Sequence, residues 1–260
     1  MNIQLHQIYY LPSQLPLLDP AFTPYDNTAN KNPEFAEYYI FEKEYNAGKV
    51  KGDALTGFVS WKFGKKTQLE GRRFLDFVQA NPGYDVYFIN PFPMQMKFFK
   101  NLWLQGEFYH PGIIALSEEI LHLAGYDINL SAMTHDRQTA LYCNYWVGNK
   151  KFWDRYMQFT RPVIEVLRSG LSAEQKQKLH SIADFGNDFS FIAFIIERLF
   201  TTLLHHDYNI RFIAYPHAYA DIRRKYGHLG GLIFKLFPDN SRLLNFFYTS
   251  FKKHPRPADE

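Results

Sequence analysis

Polar blocks interrupt an otherwise apolar sequence, and several hold residue types that can do chemistry. Glu107 and His110 stand three apart beside Trp103, Phe108 and Tyr109. A carboxylate and an imidazole at that spacing can share acid–base work, and aromatic rings stack on the C–H face of a sugar. The same stretch also reads as an interhelix turn shaped by Gly106 and Pro111-Gly112, with Glu107 and His110 as caps. Ser60, Lys62, Lys65 and Lys66 cluster at the end of the run Gly57–Phe63. Cations there can meet a diphosphate or can line a solvated edge. Asp26, Asn27 and Asn30 follow a first strand and precede a helix start that carries Glu37. In α/β sheets that place binds ligands, although Asp and Asn are also ordinary turn residues. Asp85 opens the short run Asp85–Ile89 and Asn90 closes it; a strand-entry turn is the plain alternative for Asp85. Glu197-Arg198 sits inside an apolar helix, where a charge pair is costly unless partnered or at a site. Structural pairing is the favoured role there.

Several chemistries are absent. The chain has no Gly-x-Gly, no phosphate-binding P-loop, no Gly-x-Ser-x-Gly and no His-Glu-x-x-His. It has no Asp-x-Asp either, so a divalent metal has no paired acids in sequence. Asp85 meeting a distant acid such as Asp188 is the remaining route to one. His205-His206-Asp207 reads as a helix end meeting the dipole. The single cysteine, Cys143, reads as a small core residue.

These residues need elements to position them. With 260 residues, 25 Phe, 18 Tyr and 4 Trp, the chain can build a substantial core, and disorder and coiled coil are excluded. Strand-like runs at 3–10, 57–63, 85–89, 140–147 and 210–215 alternate with helix-like runs, which predicts an α/β fold. A Pro-rich loop spans 11–32. Helices are expected from Asn32-Pro33-Glu34 to Gly48, around 74–80, at 97–104, 111–124 and 150–168 with a kink at Pro162. Another follows the capping box Ser172–Gln175, and one runs over 189–204, capped by Asn187 or Asp188. Residues 221–260 carry eight Lys/Arg against four acids among Leu and Phe. An ordinary helix pair is the favoured reading of that segment, and an anionic membrane surface is the other.

Read in order, the blocks resemble bacterial capsular-polysaccharide glycosyltransferases. Asp26–Asn32 with Glu37-Tyr38-Tyr39 is similar to that family's early Asp-Asn block. Thr56–Phe63 stands where the family has a strand bearing His and paired Arg, here replaced by Ser60 and Lys62. Phe194–Phe200, with Glu197-Arg198-Leu199, is similar to its late helix, and Leu141–Trp146 with Phe152-Trp153 to the segment before it. Residues 57–67, 85–93 and 105–112 also resemble uncharacterised bacterial proteins found with surface-polysaccharide genes.

The resemblance implies a GT-A-like, single Rossmann-type core over 1–215, followed by a basic amphipathic segment over 216–260. It implies transfer of a sugar from a nucleotide-sugar donor to a capsule or lipopolysaccharide glycan, lipid-linked or free. Asp26, Asn27, Asn30, Ser60, Lys62 and Lys65 would hold the nucleotide diphosphate, and Asp85 and Asn90 would lie near the donor sugar. Glu107 or His110 would act as base toward the acceptor, and Arg198 would buttress the site or contact phosphate. No cofactor beyond the donor is expected, binding and turnover are expected to be metal-independent, and no nucleic-acid partner is expected. With no signal peptide in view, a cytoplasmic protein is expected, one that can meet the inner membrane face. The rivals are a non-catalytic scaffold built on a degenerate transferase fold, and a hydrolase pairing Glu107 with Asp85.

Overall fold

The computed structural model describes residues 2–181 and 191–251. Its strands are β1 Asn2–Tyr9, β2 Thr23–Asp26, β3 Ala54–Ser60, β4 Val86–Phe88, β5 Trp146–Gly148 and β6 Phe212–Ala214. Its helices are α1 Ala36–Asn46, α2 Phe63–Thr67, α3 Gly71–Ala80, α4 Gln95–Phe98, α5 Leu102–Tyr109 and α6 Ile113–Leu123. They continue with α7 Lys150–Glu165, α8 Ala173–Ser181, α9 Phe191–His206, α10 Tyr219–Leu236 and α11 Arg242–Phe251.

The strands form one sheet in the order β2-β1-β3-β5-β4-β6. β1 lies parallel to β2 and β3, β4 lies parallel to β6, and β5 runs antiparallel to both β3 and β4. Every described strand except β5 therefore points the same way. Side chains alternate across the sheet as the strand pleat demands. Phe58, Phe88 and Trp146 face a larger core with α1, α6, α7 and α9, whereas Val59, Tyr87 and Val147 face a smaller one with α2 and α3. Both faces are apolar because both are covered. The α/β expectation holds, and the mixed sheet is consistent with the GT-A-like core.

The two halves of the sheet meet where Thr56 lies opposite Gly148. Gly57 has no room for a side chain at that seam, since a Cβ would lie 2.2 Å from the Trp146 carbonyl oxygen. Trp153 Nε1 donates to the Thr56 carbonyl at 2.9 Å and pins α7 across the joint.

Local expectations changed in five places. The helix expected from Asn32-Pro33-Glu34 starts only at Ala36, because a 3-10 turn over Pro33–Phe35 ends in Ala36 at φ +45° and Asn32 makes no side-chain cap bond. The Pro-rich stretch holds a 3-10 turn, Pro12–Leu17, and the edge strand β2, whose residues are mostly exposed and so show no apolar alternation. The strand expected over 140–147 is only β5, because Cys143 takes φ +63° and breaks the extended backbone before it. The helix expected over 97–104 is two helices, since the Asn101 side chain accepts from the Leu104 amide at 2.7 Å and starts α5 afresh. Pro162 lies within α7, which runs on into a π turn at Val166–Gly170. The Ser172–Gln175 box forms as expected, with reciprocal bonds of 2.9 and 3.2 Å. The caps Asn187 and Asp188 lie outside the described residues.

Candidate active site

The strand directions decide which residues can meet. β1, β2, β3, β4 and β6 end on one side of the molecule, and β5 begins there. The chain leaves β1 toward β2 on one flank and returns to β3 on the other. That reversal makes the ends of β1 and β3 the switch point of the sheet, where the ligand crevice of an open α/β sheet usually lies.

The crevice floor is fixed by Gln7, buried in β1. Its Nε2 donates to the Ser60 and Trp61 carbonyls at 3.2 and 3.3 Å, and its Oε1 accepts from the Asp19 amide at 2.6 Å. Ser60, at the end of β3, shares a 3.0 Å hydrogen bond with the Tyr145 hydroxyl. After β2 the chain makes a tight turn. The Asn27 amide donates to Tyr9 O at 2.9 Å, and the Asn27 side-chain amide donates to Asn30 Oδ1 at 3.3 Å. Asn30 adopts φ +25°, a conformation that Asn tolerates better than most residues. Asp26 accepts from the Thr28 amide and hydroxyl at 2.9 and 2.8 Å, and these bonds hold its carboxyl below the usual range.

Beside this turn lies a half-buried charge cluster. Lys66, on α2, donates to Cys143 Sγ at 3.1 Å. Glu37 near the start of α1 and Glu197 on α9 act on the same ammonium. Burial works against the Lys66 charge, but the hydrogen bond to Cys143 and the carboxylates of Glu197 and Glu37 outweigh it and hold its pKa above the ordinary value. Burial raises Glu37 and Glu197 raises it further, while Lys66 and a hydrogen bond with Asn144 oppose them. Burial pushes the Cys143 thiol up to about 12, with Glu197 adding to it. The thiol therefore stays protonated and is a poor nucleophile.

Three polar atoms around the cluster are buried without a partner: Asn90 Nδ2, Asn144 Oδ1 and the Tyr142 hydroxyl. Asn90 uses its Oδ1 for the Phe92 amide at 2.9 Å, and its backbone carbonyl accepts from His217 Nε2 at 2.7 Å. Unpaired buried amides are costly. Cys143 at φ +63° adds backbone strain beside them, and functional sites are among the places that keep such features. Lys225 on α10 closes the rim, donating to the Lys66 and Pro91 carbonyls. Burial lowers its pKa to about 8.

The sequence candidates divide. Asp26, Asn27, Asn30, Ser60 and Asn90 lie at or just past the ends of β2, β3 and β4. Lys62 rests 5.3 Å from the ring of Trp61 and Lys65 is exposed; of that run, Lys66 faces the cluster, because helix α2 turns it inward with Phe63 and Thr67. Asp85 is at the opposite end of β4. There it accepts from Asn149 at 3.1 Å, Lys151 at 3.2 Å and the Arg211 amide at 2.9 Å. Burial works against its charge, but these donors win and hold it below the usual range. Glu107 caps α6, its two oxygens accepting from the Gly112 and Ile114 amides at 2.7 and 3.0 Å. His110 packs its ring on Phe194, 4.5 Å away. Burial and Arg198 lower its pKa to about 4, too weak a base for neutral pH. Arg198 is consumed by the Leu102 and Phe194 carbonyls and Gln105, at 3.2, 2.9 and 2.9 Å. It lies so close to Gly106 that a Cβ there would sit 3.0 Å from its Nε. Glu107 is thus held by two backbone amides and Asp85 by its own backbone and side-chain donors, and neither bonds to the other's set.

Glu37, Lys66 and Glu197, each already singled out in the sequence, gather here with Asn144, which the sequence did not single out. Among the described residues no group of three or more His, Cys, Asp or Glu side chains is placed to hold a metal ion. No helix among them is long and apolar enough to cross a membrane.

No family model matches the chain, and no curated protein matches it. Among solved structures, it is similar to the WbbM bifunctional glycosyltransferase in its apo form, with a TM-score of 0.48 and 14% identity. The likeness covers 82% of this chain and 44% of that one, so the chain spans less than half the length of the protein it resembles.

Proposed function

We propose that this chain is a glycosyltransferase that seats a nucleotide-sugar donor in the strand-end crevice and passes the sugar to a surface-glycan acceptor, lipid-linked or free. The observation that carries the reading is the convergence of Lys66, Glu37 and Glu197 with buried, unpartnered Asn90, Asn144 and Tyr142 atoms at the ends of parallel strands. Those orphaned groups are what a sugar's hydroxyls would satisfy.

In the reaction the bond between the anomeric carbon and the diphosphate oxygen breaks, and the acceptor oxygen takes its place on the carbon. The acceptor's proton goes to the Glu37 carboxylate, whose pKa burial raises. Negative charge develops on the leaving diphosphate. Lys66 supplies a fixed cation for it, the role that a metal fills in other transferases. The Asp26–Asn30 turn and Ser60 border the nucleotide side. Nothing in this scheme calls for a cofactor or for nucleic acid, and the proposed setting is the cytoplasm, at the inner membrane face.

A thermal-shift panel of UDP-, GDP-, CMP- and dTDP-linked sugars tests the reading, run with and without EDTA. One donor should raise the melting temperature with or without the chelator, and Lys66→Met should abolish that rise while the unliganded protein still melts cooperatively. A panel without any shift, or a Lys66→Met protein that keeps it, removes the donor from this crevice.

A further inference from the structure

Helices α10 and α11 each carry two apolar faces. On α10, Gly231 and Phe234 turn inward and are buried, while Leu229, Leu232 and Leu236 are exposed on the other side. Spacings of three and four place those leucines on one stripe. On α11, Leu244, Asn245 and Tyr248 turn inward, with Tyr248 stacked on Phe98 at 4.6 Å and Asn245 donating to the Phe98 carbonyl at 2.8 Å. Leu243, Phe246 and Phe247 form the outer stripe, and Phe246 is 65% exposed. Of the twelve large hydrophobic residues exposed among those described, seven lie between Tyr219 and Phe247. A surface helix in water needs a single apolar stripe; a second one, on each of two consecutive helices, is the kind of exposed apolar surface that marks an interaction site.

The charge around the stripes indicates what partner that site takes. Over 219–251 the chain has five basic residues, Arg223, Arg224, Lys225, Lys235 and Arg242, and two acids, Asp221 and Asp239. Both acids are turned inward. Asp221 pairs with Arg73 at 2.8 Å, and Asp239 with Lys97 and Arg137 at 2.9 Å each. Arg223, Lys235 and Arg242 remain exposed on the same two helices, and Arg224, also exposed, pairs with Asp221 at 2.8 Å. In the sequence, Lys252 and Lys253 follow directly. Leu and Phe flanked by Lys and Arg, with no acid facing outward from these helices, is the composition that lies in the interface of an anionic bilayer. The break at Gly227, φ +73°, frees the second half of α10 from the direction of the first and sets its leucine stripe independently of the Lys225 rim contact.

We infer that the outer face of α10–α11 docks this protein on an anionic lipid surface, with Leu229, Leu232, Leu236, Leu243 and Phe246 entering the headgroup region. The face is separate from the crevice, so donor binding does not depend on it. The test is co-sedimentation of the full chain with phosphatidylglycerol-rich vesicles and with pure phosphatidylcholine vesicles over a salt series. Binding should favour the anionic vesicles and weaken with salt, and Leu232→Glu with Phe246→Glu should cut the bound fraction about tenfold or more. Circular dichroism and melting should show the variant folded, since both side chains face outward. Protein left in the supernatant at low salt overturns the inference, as does a variant that still binds like the wild type. So does a dimer that Phe246→Glu splits without any vesicle binding, for then a second copy covers the face.

Discussion

Asp85 and Glu37 are carboxylates at opposite sides of the same sheet, each with a lysine nearby, and their settings diverge. Around Asp85 the donors converge: an asparagine amide, an ammonium and a backbone amide meet its oxygens. Its pKa falls, and the group is locked as an ion. Around Glu37 a second carboxylate, Glu197, shares the one ammonium of Lys66, and neighbouring polar atoms have no partner. Its pKa rises instead. A buried carboxylate whose bonds are complete joins elements together; one whose surroundings are incomplete is placed to take a proton or a ligand.

Substitutions can break that comparison. The largest effect should come from Glu37→Gln, which keeps shape and removes the base. Turnover with the donor found in the panel should fall by roughly 10²–10⁴-fold, while melting of the free protein stays near wild type. Turnover within a few-fold of normal would return Glu37 to the structural class and direct the search to Glu197. Asp85→Asn should behave in the reverse sense. Losing the buried carboxylate that accepts from Asn149 and the Arg211 amide should cost up to about 3 kcal/mol in denaturant unfolding, with turnover per folded molecule unchanged. A stable but inactive Asp85→Asn protein would put Asp85 in the site after all. Next in size, saturating donor at a hundred times its dissociation constant should stabilise the wild type by about 2.7 kcal/mol and leave Lys66→Met unmoved in calorimetry.

The smallest effect is in the pH dependence, and its signs are opposite at the two groups. Asp85 is depressed from an ordinary 3.8. Its stabilisation is therefore complete above that pH and is lost as pH falls through the lower folded value. Glu37 is raised from an ordinary 4.5, so its contribution favours folding below that pH and is lost as pH rises toward the folded value. Unfolding free energies measured across this range should show Asp85→Asn flattening the acid limb and Glu37→Gln flattening the decline above it. The same slope change in both variants would dissolve the distinction.

Much of the scaffold was legible because strands buried on both faces read as dense apolar runs. Strand direction was not. Asp85 and Asn90 bracket one strand and look equivalent in sequence, and only the pairing of β4 with antiparallel β5 shows that Asn90 points to the crevice and Asp85 away from it. Helix phase hid Lys66 behind Lys62 and Lys65, since α2 spans only Phe63–Thr67 and no periodic pattern fixes its inward side. Glu107 carried two open readings, and the amides of Gly112 and Ile114 select the cap. Cys143 was legible as buried but not as strained, because a left-handed residue other than glycine leaves no mark on composition.

The seam between Thr56 and Gly148 also sets an order of events on the ribosome. The strands β2, β1 and β3 are complete once residue 60 has been added, whereas β5, β4 and β6 wait for residue 214. Lys66 is made early and Cys143 late, and their 3.1 Å contact lies across that interval. The crevice therefore does not exist in a half-made chain. Glu197, which also acts on Lys66, is added later still, so a nascent fragment lacks the assembled cluster.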